Sequence, residues 1–184
     1  PSNAAGWGWG TGELSYGPYP RRSNMCPSNT ACFDFRVPVD DGLIMTVLEA
    51  ARWAPSGLNN QPWRFVIIRD PAVRERISNL TTYRRIVREC DACVAVFFHA
   101  PSGYDRDKDM MGIGAAVQNM LLAAHSLGLG AVWLGEILKR KGEVNTILGV
   151  DSDHELMAVV AFGHPADNPE SDRIDLESLI IKRL

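Results

Sequence analysis

The stretch from Asp109 to Leu127 constrains the fold more than any other part of this chain. Met110, Ile113, Val117, Met120, Leu121 and Ala124 recur at helical spacing, so one side of a long helix must face a core. Gly112, Gly114, Ala115 and Ala116 leave another side almost bare, and small side chains let a neighbouring element come close. Gly128 is placed to end the helix as a C′ glycine. Two apolar runs, Ala92 to Phe98 and Leu156 to Phe162, have the length of buried strands. Both fall far short of the roughly 18 residues that a membrane helix needs.

The remaining pattern interleaves helices and strands. Asp40 and Asp41 precede a helical face of Leu43, Ile44, Val47, Leu48 and Ala51, and Pro55 marks its end. Residues 64–69, RFVIIR, read as a strand. Asp70-Pro71 supplies a cap and a first-turn proline for a helix to about Leu80. Residues 81–90 are helical or irregular, and a polar loop follows Phe98. Ala131 to Leu134 is a short strand, and a helix around Glu143 to Leu148 ends at Gly149. The tail begins as a loop and closes in a short amphipathic helix. The predicted class is α+β or α/β, in layers.

Residues 1–24 stand apart: Gly, Pro, Ser and Asn dominate, with Trp7, Trp9, Tyr16 and Tyr19 among them and no periodicity. They read as an irregular arm, followed by one domain over 25–184. Ser2-Asn3-Ala4 has the look of a tag-cleavage scar, so residues 1–4 are set aside. Arg21-Arg22 resembles an export signal, but no apolar stretch follows it. With 184 residues, 46% hydrophobic and 22% charged, the chain has globular composition and enough length for a core. A net charge of -3 offers no basic footprint for nucleic acid or an anionic membrane. Four cysteines are too few for a disulfide scaffold, and a reducing cytoplasm is the simplest setting.

Several familiar chemistries find no support. Gly112-Ile113-Gly114 lacks the third glycine and the preceding strand of a dinucleotide fingerprint. Cys90 and Cys93 have the spacing of a redox or metal pair, but Cys93 opens a buried strand, where free cysteine is common. Cys26 and Cys32 are not spaced as a zinc knuckle, so no metal site is expected. His99, His125, His154 and His164 form no ligand set, His125 reading as a packed or capping residue. No hydrolase elbow or Walker loop occurs.

The segment Ala54 to Trp63, APSGLNNQPW, is different. It carries two prolines, a glycine and three side-chain amides between a helix and a strand. Turn chemistry accounts for it minimally. It also holds many hydrogen-bonding groups on restricted backbone, which suits a planar polar ligand, and such loops carry function.

Three stretches together make the chain resemble the FMN-dependent nitroreductase family. They are LEAARWAPSGLNNQPWRFVIIRD (48–70), GIGAAVQNMLLAAHSLGLGAVWLGE (112–136) and AFGHPADNPESDR (161–173). In order and spacing they cover about residues 38–173. The resemblance implies an α+β fold with a central mixed or antiparallel sheet flanked by helices. It also implies an intertwined homodimer with FMN at the interface, which the bare side of the long helix suits. Flavin carries the redox chemistry in such enzymes. NAD(P)H gives a hydride to N5 and leaves, and a small acceptor, such as a nitroaromatic or quinone, then takes the electrons in ping-pong fashion. No side chain need act as acid or base.

By the same resemblance, Pro55, Ser56, Gly57 and Asn59 match the loop that contacts the isoalloxazine ring, often from the second subunit. Leu134, Gly135 and Glu136 match the segment whose backbone amides, at Gly135 and Glu136, face N5 and O4, where donors stabilise developing charge. Arg173 matches a C-terminal basic residue that reaches the phosphate.

The N-terminus departs from the pattern. The family's Arg-Arg-Ser-x-Arg-x-Phe type motif lies about seven residues before a Pro-Val pair, and its guanidinium forks suit phosphate. Pro38-Val39 is present, but the usual position holds Pro27-Ser28-Asn29-Thr30. The nearest match, Arg21, Arg22 and Ser23, comes too early, so either an insertion around Cys26 to Cys32 loops out or the clamp is altered. The short span from Leu80 to Cys90 predicts an open flavin face, and the lid residues of the dehalogenating branch have no counterpart. Two alternatives stand beside the enzyme reading. One is a flavin-binding protein with specialised or lost turnover. The other is a redox or metal sensor built on Cys26, Cys32, Cys90 and Cys93.

Overall fold

The computed structural model describes residue 34, residues 37–166 and residues 173–184. Helix α1 (Asp41–Arg52) starts where Asp40 accepts a hydrogen bond from the Gly42 N–H at 2.7 Å. A 3-10 turn, Gly57–Asn59, leads into β1 (Trp63–Ile68). Asp70 caps α2 (Pro71–Ser78) in the same way, with Pro71 in the first turn. Then come α3 (Arg84–Glu89) and β2 (Ala92–His99). Helix α4 (Arg106–Ser126) begins three residues before the expected Asp109, because Asp105 is its cap and accepts from the Lys108 N–H. Strand β3 (Gly130–Leu134), a 3-10 turn (Glu136–Arg140), α5 (Lys141–Leu148) and β4 (His154–Gly163) complete the body.

The strands form one sheet in the order β1-β2-β4-β3, every neighbouring pair antiparallel. Of the two arrangements expected, the antiparallel one holds. β2 and β4 lie in the middle, which explains their nearly unbroken apolar sequence: helices cover both faces. On one face Val94, Val96, Phe98, Ala158, Val160 and Phe162 share a core with α1 and α4. On the other, Cys93, Ala95, Phe97, Leu156, Val159 and Ala161 pack with residues of α2, α3 and α5. Strand periodicity alone would put Leu156 with Ala158. A register shift between Val96 and Phe97 makes Phe97 pair with Leu156 and skips Met157, so Leu156 turns to the opposite core.

Two sequence expectations change. The amphipathic helix of the tail is a single 3-10 turn, Leu176–Leu179, and residues 173–184 are all exposed. A short helix gains stability by burying a face, and this one buries none. His125 is exposed and not packed into the core.

The strand directions place the site. β1 begins, β2 and β3 end, and β4 begins at one end of the sheet, where the His99 N–H bonds to the Pro62 carbonyl at 2.8 Å. The segment before β1 and the segment after β3 therefore open toward the same end, from opposite edges.

Candidate active site

The loop from Pro55 to Gln61 is held in an unusual shape. Leu58, Asn59 and Gln61 have φ of 53°, 55° and 45°, the left-handed region that side chains disfavour by roughly 1–2 kcal/mol each. Leu58 is 84% exposed, so an apolar side chain projects into solvent from a strained position. Strain of this kind persists only where surroundings over-determine it. Inside the loop, the Asn59 N–H bonds to the Ser56 carbonyl, the Asn60 N–H to the Gly57 carbonyl, and the Gln61 N–H to Ser56 Oγ at 3.1 Å. From outside, Asn60 Nδ2 donates to Asp109 Oδ1 at 2.7 Å and to the Ser102 carbonyl at 2.9 Å.

Both glycines near this loop have steric reasons. A Cβ on Gly57 would collide with Tyr104 Oη, so Tyr104 lies directly on the loop backbone. A Cβ on Gly112 would come within 3.2 Å of the Pro55 carbonyl oxygen. The bare side of α4 thus divides. Gly112 and Ala116 are buried against the body, whereas Gly114 opens on empty space. Met111, Ala115, Gln118 and Leu122 share that open face, with Met111 67% and Leu122 45% exposed.

The second segment lies at the end of β3. Leu134 is buried, Gly135 is exposed, and a Cβ on Gly135 would meet nothing within 4 Å. The Glu136 side chain is tied down: its carboxylate accepts from Thr81 Oγ1 at 2.9 Å and from the Thr82 N–H at 3.2 Å. The Thr81 hydroxyl, then the Thr82 amide, hold the Glu136 carboxyl below the usual carboxylate range. The 3-10 turn starting at Glu136 leaves its first backbone N–H groups without partners inside the turn. Gly135 and Glu136 can therefore present backbone donors to an approaching planar group.

The structure does not bring the two segments together within one chain. Their edge strands are separated by three strand spacings, about 14 Å across the sheet. Pro55, Ser56, Gly57 and Asn59 lie before one edge strand, and Leu134, Gly135 and Glu136 at the end of the other; each is a candidate half-site. Arg173 lies exposed at the start of the described tail. Arg21, Arg22, Ser23, Cys26 and Cys32 lie outside the described residues.

Cys90 and Cys93 are both buried, with their sulfurs 3.3 Å apart. Their mutual hydrogen bond holds the Cys90 thiol below its ordinary value, and that bond with burial pushes Cys93 up. Among the described residues no three His, Cys, Asp or Glu side chains are grouped to hold a metal ion. Nor is any described helix long and apolar enough to cross a membrane.

Sequence reasoning missed the residues that shape these half-sites: Asn60, Tyr104 and Asp109 for the first, Thr81 and Thr82 for the second. Asn60 stood in the right segment but had no sign of its partner 49 positions away. Asp109 read as the start of the long helix, with no sign that its side chain would be buried.

The donor set fits a flavin. An isoalloxazine edge alternates acceptors with an N–H, and the half-sites offer backbone donors at Gly135 and Glu136 and two-way groups at Ser56 and Asn59. Open space at Gly135 lets a flat ring approach the backbone.

Residues 33–83 and 79–164 match the model of the nitroreductase family. A protein of Archaeoglobus fulgidus, named for NADH dehydrogenase or NAD(P)H nitroreductase activity, is 33% identical across 72% of this chain and 78% of its own. An NADPH-flavin oxidoreductase of Vibrio harveyi is 27% identical across 73% of this chain and 61% of its own. A crystal structure from Desulfovibrio desulfuricans, assigned as a nitroreductase in complex with FMN, superposes with a TM-score of 0.80. It is 42% identical and covers 84% of this chain and 90% of its own.

Proposed function

The chain belongs to the nitroreductase family, and from that premise we propose that it is a homodimeric enzyme that reduces small planar acceptors, nitroaromatics or quinones, by a ping-pong mechanism. It is an FMN-dependent oxidoreductase that uses NAD(P)H. Bound FMN supplies the two-electron chemistry. The protein binds and orients it: Ser56 and Asn59 meet the polar edges of the ring, and Pro55 and Gly57 shape the loop against it. The N–H groups of Gly135 and Glu136 donate where negative charge develops on reduction, and Leu134 anchors that corner in the core. Arg173 reaches the phosphate, and Arg21, Arg22 and Ser23 join it only if the segment around Cys26 to Cys32 loops out.

The observation that carries this reading is the separation of the half-sites. They open on the same end of the sheet from opposite edges, so one ring touches both most simply if a second copy supplies one of them. The exposed Met111 and Leu122, with half-buried Ala115 between them, offer a face for that copy, because apolar surface of this kind gains by burial.

The test begins with the visible spectrum and the FMN released on denaturation, about one per chain if the site is complete. Parallel double-reciprocal plots of NAD(P)H oxidation with a quinone would support the two-step transfer. Light scattering should give a dimer, and Leu122→Arg should yield a monomer with weakened FMN binding. A colourless protein that takes up no added FMN would overturn the reading.

A further inference from the structure

Asp109 is the one charged residue buried among the described residues, 1% exposed in the first turn of α4. It is not the helix cap, since Asp105 already fills that role. An acidic side chain suits the first turn of a helix, but out of water a carboxylate is costly unless its oxygens are hydrogen-bonded. Every donor to Asp109 is a neutral amide from outside the helix. Oδ1 accepts from Asn60 Nδ2 at 2.7 Å, and Oδ2 accepts from the backbone N–H groups of Tyr104 at 2.9 Å and Asp105 at 3.2 Å. The same Asn60 amide reaches the Ser102 carbonyl. Tyr104, held by its N–H, lies across Gly57. One carboxylate therefore joins the strained 55–61 loop, the 102–105 segment and α4. The three left-handed residues of the loop sit on either side of Asn60.

We propose that Asp109 is a positioning residue: its buried carboxylate, through Asn60 and Tyr104, holds the 55–61 loop in the conformation that receives the flavin. This rests on the reading of that loop as half of the flavin site. Asp109 does not touch the flavin. It sets where Ser56 and Asn59 stand, and a pre-set loop binds more tightly because the ordering cost is met in folding.

The experiment compares the wild type with Asp109→Asn and with the reciprocal pair Asn60→Asp, Asp109→Asn, which puts the carboxylate on the loop and the amide on the helix. Two quantities are read: amide hydrogen exchange in the FMN-free protein, and the FMN dissociation constant from flavin fluorescence. Asp109→Asn should speed exchange at Asn59, Asn60 and Gln61 while leaving Val159 to Phe162 unchanged. It should weaken FMN by roughly ten- to a hundredfold, the scale of losing hydrogen bonds to a charge. The reciprocal pair should recover part of both. If Asp109→Asn does not fold, Asn60→Ala carries the same two expectations. Unchanged exchange at Asn59 to Gln61 in a folded variant overturns the proposal, as does faster exchange with unaltered FMN affinity. A wild type that binds no FMN overturns the flavin reading instead, and the exchange data alone then decide whether Asp109 positions the loop.

Discussion

The two proposed half-sites are built on opposite principles. The 55–61 loop is strained, crowded and held by a buried carboxylate. The 134–136 corner is relaxed and open at Gly135, and it is held by a carboxylate at the surface. In the first, shape and stability depend on the same contacts. In the second, the space that a side chain on Gly135 would enter is empty, so what fills it can change with little effect on folding. The loop should therefore couple binding to stability, and the corner should separate them.

Asp109→Ala should break the comparison most severely. It leaves the Asn60 amide with the Ser102 carbonyl alone and two backbone N–H groups without their acceptor, a loss of about 3–5 kcal/mol in urea unfolding at the usual scale for unpaired buried groups. A loss below about 1 kcal/mol would mean that water replaces the carboxylate without difficulty.

Gly135→Val should have the contrasting signature. A Cβ there meets nothing, so the melting temperature should stay within a degree or two of wild type while FMN affinity drops about tenfold or more. Equal losses in both would show that the corner is as coupled as the loop.

Thr81→Val sharpens the comparison through pH. The folded Glu136 carboxyl sits below its ordinary value, so its contribution to stability is present above that ordinary value. It is lost as pH falls through the depressed folded value. Thr81→Val should thus be less stable than wild type near neutrality, with the gap closing in acid. A constant gap across that range would assign the loss to packing at Thr81 and not to the hydroxyl–carboxylate bond.

The smallest effect is expected at Leu58→Gly. Glycine removes the left-handed penalty but adds freedom to the unfolded chain, so the net change should be within about 1 kcal/mol in either direction. FMN affinity should fall more than stability if the projecting Leu58 side chain packs on the ring or the second copy.

Much of the fold was legible because local rules and tertiary demands coincide. Asp40 and Asp70 cap their helices as their type predicts, and Gly128 and Gly149 take the left-handed conformation at helix ends. β2 and β4 could be read from apolar runs because both faces are covered. Legibility failed where a distant residue decides a local outcome. The shift that turns Leu156 to the other core depends on the pairing of β4 with β2, which no window of the sequence contains. The tail has helical spacing, yet without a surface to cover, the spacing alone does not make an α-helix.

The site divides along the same line. The APSGLNNQPW segment stands out by its turn chemistry, whereas Leu134-Gly135-Glu136 was nominated only through the family resemblance, so the residues themselves pointed to one of the two segments. Caps, turns and apolar periods are properties of neighbouring residues, and the sequence alone determined them. Only the tertiary structure decided that Asn60 meets Asp109, that Glu136 meets Thr81, and that the half-sites stand on opposite edges of one sheet. Those pairings join residues dozens of positions apart, and they exist only once burial and strand order have brought the chain together.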